Sequence, residues 1–171
     1  MTKLNLWDKI IVFKIKKNFL SNEHFFISYS KVQSIALVLD YDNYSVEDEI
    51  EKIKKRFIGD GKKIKIILLK KNKIQILNYT LITYKRIFFW IKKKCEDCEQ
   101  IFSKNFDLAI GFDTKRNLIL EYFISKLKAK QVILPYFDED MYADLLLKVK
   151  SNSLEDFINQ TILFLKKIKT K

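Results

Sequence analysis

Between Asn105 and Tyr136 the chain reads NFDLAIGFDTKRNLILEYFISKLKAKQVILPY. An apolar run at Leu108–Phe112 leads into an amphipathic stretch over Asn117–Lys128, and a second apolar run follows at Val132–Leu134. A strand with one wet face alternates apolar and polar residues. These runs do not alternate, so each needs cover on both faces. Two such strands joined by a helix form a crossover unit, which makes them parallel and lays the helix against a sheet. The unit predicts an α/β fold.

An earlier stretch repeats the logic. Ser34–Leu39 (SIALVL) is apolar throughout and predicts a central strand. Ser45 with Asp48 has the spacing of a capping box, and Val46, Ile50, Ile53 and Phe57 mark the buried stripe of the helix it starts. Gly59 and Gly61 suit its termination, and Ile64–Leu69 supplies the next strand. Between residues 70 and 94 the pattern predicts a short strand at Ile74–Leu77 and a buried plug at Ile87–Ile91. Glu96–Lys104 is a short helix. After Pro135 and the acidic Asp138-Glu139-Asp140, Ala143–Val149 is the last strand. Its connector, about eight residues, is shorter than a parallel crossover normally uses, so an antiparallel strand and a tight helical turn both stay open. Ser153 with Asp156 caps a final helix that buries Leu154, Phe157, Ile158, Ile162, Leu165 and Ile168.

Residues 3–20 form a helix with Leu4, Trp7, Ile11 and Ile15 on one stripe, while Leu6, Ile10 and Phe13 fall off it. The expected architecture is a three-layer Rossmann-like sandwich of about five mostly parallel strands, preceded by an N-terminal helix. Residues 1–33 are the helix and connector packed on the domain, and residues 34–171 are a single α/β domain.

At 171 residues the chain can bury roughly two-thirds of its unfolded surface. No apolar run reaches the ~20 residues of a membrane span, and Asp8, Lys9 and Lys14 interrupt any signal-peptide core. Two cysteines without a secretory signal point to a reducing, cytoplasmic setting. The net charge is +12 and the isoelectric point about 9.5. Of 33 cationic residues only Arg56, Arg86 and Arg116 are arginine, leaving 30 lysines. Phosphate and base recognition favour the planar fork of arginine, so part of this charge fits drift toward AT-rich codons.

The leading functional expectation is a non-catalytic accessory protein whose basic surface takes an anionic macromolecule such as RNA. Lys85, Arg86 and Trp90 interleave cations with an aromatic, as base stacking requires. Lys115, Arg116 and Asn117 open a helix, where backbone N–H groups and the dipole favour phosphate. A protein partner, or contact of residues 3–20 with a membrane surface, is compatible with the same charge.

The alternative is an enzyme. In open parallel sheets ligands bind beyond the carboxyl ends of the strands. Asp40 and Asp42 follow the first strand and Asp113 follows the Leu108–Phe112 strand. If these strands are neighbours, the three carboxylates can hold Mg²⁺ for a phosphate-bearing or sugar-nucleotide substrate. The bland account of the same aspartates is turn and capping chemistry. Asp40-Tyr41-Asp42 resembles the D-x-D strand end of haloacid-dehalogenase-type phosphotransferases, where the first carboxylate is the nucleophile and the second the acid/base. The chain departs from that pattern, because no Ser or Thr ends the Ile64–Leu69 strand.

Other chemistries are poorly served. Cys95-Glu96-Asp97-Cys98 lacks the second ligand pair of a structural zinc site, and its acidic spacer opposes thiolate formation. Three glycines cannot make a dinucleotide or Walker loop, and a lone His24 with no evident partner supports no triad.

SIALVLD, RIFFWIK, the long FDLAIGFDTKRNLILEYFISKLKAKQVIL segment and ADLLLKVKSNSLEDFINQTILFLKKI together resemble a family of bacterial proteins defined by a domain of unknown function, over roughly Gln33 to Lys169. The resemblance implies a compact α/β domain after a helix and brings no activity or catalytic residues with it. The central unit is also similar in shape to one half of heptosyltransferase-like glycosyltransferases, which bears on fold alone.

Overall fold

A computed structural model of the chain describes residues 5–41, 47–70, 79–84, 87, 96–137, 141–148 and 153–168. Helix α1 spans Leu6–Leu20 and opens with a capping box. The Asn5 side chain accepts from the Asp8 N–H at 2.9 Å, and the Asp8 carboxylate accepts from the Asn5 N–H at 3.1 Å. Strand β1 (Ser34–Asp40), helix α2 (Glu47–Gly59) and strand β2 (Lys63–Lys70) form the first crossover unit. Strand β3 is Thr80–Thr83 and helix α3 is Glu96–Phe102. Strand β4 (Asn105–Phe112), helix α4 (Leu118–Ser125) and strand β5 (Lys128–Pro135) form the central unit expected from the sequence. Strand β6 (Leu145–Leu147) and helix α5 (Leu154–Lys167) complete the described elements.

The sheet has six strands in the order β3-β2-β1-β4-β5-β6, all parallel. Residues of alternate parity on β1 go to opposite layers. Ala36 and Val38 pack with Ile11 and Ile15 of α1, Cys98 and Ile101 of α3, and Leu120, Phe123 and Ile124 of α4. Ile35, Leu37 and Leu39 pack with Ile50, Ile53 and Phe57 of α2 and with Leu154, Phe157 and Ile158 of α5. Helices therefore cover both faces, the three-layer α/β sandwich that unbroken apolar strands require.

Several expectations need correction. The sheet of about five mostly parallel strands holds, with six, but the sequence pattern does not predict β3: it pairs with the C-terminal half of β2 from a site, Thr80–Thr83, that carries no apolar run in the sequence. The predicted strand at Ile74–Leu77 lies outside the described residues, as do Ser45, Val46, Cys95 and the acidic Asp138-Glu139-Asp140. The plug at 87–91 is described only at Ile87, which is buried. Helix α4 ends at Ser125 rather than running to Lys128, and β5 takes over at Lys128. There Lys128, Ala129, Lys130 and Gln131 alternate exposed and buried, a strand period that the neighbouring apolar residues hide in the sequence.

The last strand is parallel and short. It pairs only with Ile133–Pro135, the final three residues of β5, so the connector returns over a fraction of the strand's length and needs no full crossover helix. His24 also has a partner, from far along the chain. Its Nδ1 lies 3.0 Å from Asp144 Oδ2 and its Nε2 2.9 Å from the Phe19 carbonyl. A carbonyl only accepts, so Nε2 carries its proton. Asp144 also accepts from the Val132 N–H at 2.6 Å, which ties the connector after α1 to the β5–β6 edge.

Candidate functional site

Chain order runs outward from β1 through β2 to β3, then resumes at β4 on the other side of β1. The sheet therefore has a topological switch point between β1 and β4, the place where open α/β sheets form a crevice at the strands' carboxyl ends. Leu39 and Phe112 are the last paired residues there, so Asp40 and Asp113 stand side by side one position on. Both are buried, at 1% and 3% exposure.

The cluster is built by the start of α4. Asn117 is the helix N-cap, and its Oδ1 accepts from the N–H groups of Ile119 at 3.0 Å and Leu120 at 3.2 Å. Helix donors demand the amide oxygen on that side, so the nitrogen must face the acids. Asn117 Nδ2 donates to Asp40 Oδ2 at 2.5 Å, to the Tyr84 hydroxyl at 2.8 Å and to Asp113 Oδ2 at 3.1 Å. Tyr84 in turn donates its hydroxyl hydrogen to Asp40 Oδ2. Asp113 Oδ1 accepts from the Thr114 N–H at 2.6 Å.

Gly111 lets this happen. A Cβ built there would come within 2.6 Å of Leu134 Cδ2, 2.7 Å of Leu120 Cδ2 and 3.1 Å of Ile124 Cδ1. Without a side chain at that position α4 settles close to β4, and its cap reaches the two acids.

Two buried carboxyls in contact cannot both ionise easily. Burial pushes the Asp113 carboxyl above the usual carboxylate range. The Asn117 hydrogen bond opposes the rise, and the neighbouring Asp40 charge and hydrogen bond add to it. Asp40 Oδ2 accepts from both Asn117 Nδ2 and the Tyr84 hydroxyl. Burial, then the hydrogen bond to Asp40, pushes the Tyr84 hydroxyl far up as well, so it stays a donor.

The family is decided by a family-model match over residues 5–168. The chain belongs to DUF6913, a family of unknown function. No curated protein and no solved structure matches it. In this DUF6913 chain, then, any assignment of chemistry must come from the site itself.

Of the sequence-derived candidates, Asp40, Asp113 and Asn117 converge, whereas Asp42, Lys85, Arg86 and Trp90 lie outside the described residues. Lys115 is exposed. Arg116 turns inward, its Nε 3.1 Å from Oε1 of the buried Glu121. At this helix start, where phosphate was expected, the Thr114 N–H already has Asp113 as its acceptor, and the N–H groups of Ile119 and Leu120 have Asn117. Among the described residues no three or more His, Cys, Asp or Glu side chains gather as a metal shell.

Sequence reasoning missed Tyr84, Glu121 and Lys70. Tyr84 follows a strand with no apolar signature, and only the sheet order brings it beside Asp40. Lys70 is buried at the end of β2 with its ammonium 4.4 Å from the centre of the Tyr41 ring. A polar cleft of about 300 Å³ lies between α3 and the β2–β3 edge, lined by Lys65, Thr80, Gln100 and Lys104 among others. Burial, followed by the charge of Lys104, holds the Lys65 ammonium below its ordinary value.

Proposed function

We propose that the switch-point crevice binds a phosphate-bearing ligand through Mg²⁺ held between Asp40 and Asp113, the arrangement a Mg-dependent phosphate-processing enzyme uses. The observation that carries this reading is the convergence of two buried carboxyls, bridged by Asn117, at the carboxyl ends of neighbouring parallel strands. A divalent ion and a proton are alternative ways to relieve the same like-charge repulsion. Lys70 and the exposed Lys115 supply cations near the same strand ends for the ligand's remaining charge. Asn117 and Tyr84 hold Asp40 in place, so both are positioning residues.

Thermal unfolding with and without Mg²⁺ tests the idea. Stabilisation by Mg²⁺ should grow with pH, as the raised Asp113 carboxyl loses its proton, and should vanish in Asp40→Asn. A midpoint indifferent to millimolar Mg²⁺ at pH 8 sinks the proposal.

The cleft lined by Lys65 and Lys104 favours a second reading, in which the chain is an accessory protein for an anionic macromolecule such as RNA. Two ammonium groups sharing one cleft repel each other, and a phosphate backbone relieves that repulsion. For single-stranded RNA, Lys65→Gln with Lys104→Gln should lower the slope of log affinity against log salt by about 0.7 for each phosphate left without its lysine. An unchanged slope removes those two lysines from any interface.

A further inference from the structure

Helix α1 has two apolar stripes, and only one of them is used. Ile11 and Ile15 point inward and are buried against the sheet and α4. On the opposite side Leu6, Ile10, Phe13, Lys17 and Leu20 follow one another at alternating spacings of four and three, a continuous ridge along the helix. Leu6, Phe13 and Leu20 are 74%, 68% and 69% exposed. Opposed stripes cancel in any vector measure of amphipathicity, which is why the sequence pattern looks blurred although each face is well defined. Trp7 at the start of the helix, and Phe25 and Phe26 just beyond its end, are exposed as well.

The flanks of the ridge carry one sign of charge. Lys9 and Lys16 run along one side, and Lys14 along the other, with Lys17 on the ridge itself. Asp8 belongs to the inner side, three residues before Ile11 and seven before Ile15, and is engaged in the N-terminal capping box. Lys126, the C-cap of α4, joins the group. Burial, then the charges of Lys14 and Lys17, pushes its ammonium below the ordinary value. A second copy of this chain would bring lysines against lysines. A convex ridge of large apolar side chains between cationic flanks instead matches a flat, anionic, apolar-cored surface.

We infer that the outer face of α1 docks the domain onto an anionic lipid bilayer, with Leu6, Ile10, Phe13 and Leu20 entering the headgroup boundary and the lysines contacting lipid phosphates. Docking uses a different surface from the Asp40–Asp113 crevice and stands or falls independently of it.

The test is flotation of the full chain with vesicles of phosphatidylcholine, with and without phosphatidylglycerol. The wild-type chain should float with the anionic vesicles and only weakly with neutral ones. Leu6→Ser with Phe13→Ser should lower the partition coefficient by about tenfold or more while leaving the urea midpoint unchanged, since both side chains are exposed. Lys14→Gln with Lys17→Gln should weaken the preference for anionic vesicles several-fold, Lys9, Lys16 and Lys126 remaining. Failure of the wild-type chain to float, or equal flotation of the Leu6/Phe13 variant, overturns the inference. So does a concentration-dependent dimer, seen by sedimentation equilibrium, that the same variant abolishes without any vesicle binding, because the ridge would then belong to a second copy.

Discussion

Asp107 lies near the start of β4 and Asp113 just past its end, and their environments drive them in opposite directions. Burial raises the Asp107 carboxyl, but the Lys130 ammonium, the N–H groups of Gln33 and Ser34 and the Ser34 hydroxyl together bring it down to about 2. Its stabilising effect is therefore complete above the ordinary value of 3.8 and disappears as pH falls toward 2. Asp113 is raised, so the fold is favoured below 3.8 and loses stability as pH climbs through the raised value. Urea midpoints measured across pH separate the two. Asp107→Asn should cost about 1–2 kcal/mol at neutral pH and progressively less in acid. Asp113→Asn should gain on wild type as pH rises above 3.8, because it removes the charge that burial penalises. A gap independent of pH in the second variant would mean that burial does not raise the Asp113 carboxyl.

At the scale of elements, β4 and α4 fit together because position 111 has no side chain. Gly111→Ala should cost about 1–3 kcal/mol, since the added methyl meets three well-packed side-chain ends and either α4 or Leu134 must move. Gly59→Ala is the control. Nothing lies within 4 Å of a Cβ there and the residue ends α2, so the change should be neutral or stabilising by about 0.5–1 kcal/mol. Thermal melts of the two variants check both signs. The crossover units were legible from their apolar runs, and α5 from its Ser153 cap, where Oγ accepts from the Asp156 N–H. β3 was not legible, because Thr80–Thr83 is polar at both ends and gains its strand character from pairing with Ile67–Lys70. Edge pairing is a long-range event, and local pattern does not encode it. The early end of α4 was hidden for the opposite reason. Ile124 and Leu127 continue a helical stripe, while backbone pairing of Asn105 with Lys128 draws the chain into the sheet.

For the molecule as a whole, the central β1–β4 ladder joins residues far apart in sequence, pairing Ile35 with Leu108. Such topologies close large loops before their contacts form, so refolding monitored by stopped-flow Trp fluorescence should take milliseconds to seconds rather than microseconds. Refolding complete within the instrument's dead time would contradict that topology. Among the described residues no helix is long and apolar enough to cross a membrane, so the surface of α1 bears on lipid contact only through an interfacial face. What the chain determined by itself was the layer architecture, because strands apolar on both faces leave few alternatives to a parallel sheet clothed in helices. It also placed Asp40 and Asp113 at strand ends. Only tertiary structure decided that β1 and β4 are neighbours. That adjacency turns two ordinary turn aspartates into a buried pair, recruits Tyr84 from β3's side of the sheet, and turns Asn117 from an expected phosphate contact into the clamp on that pair. Strand order is set by the packing of whole elements, and no local run of residues carries it.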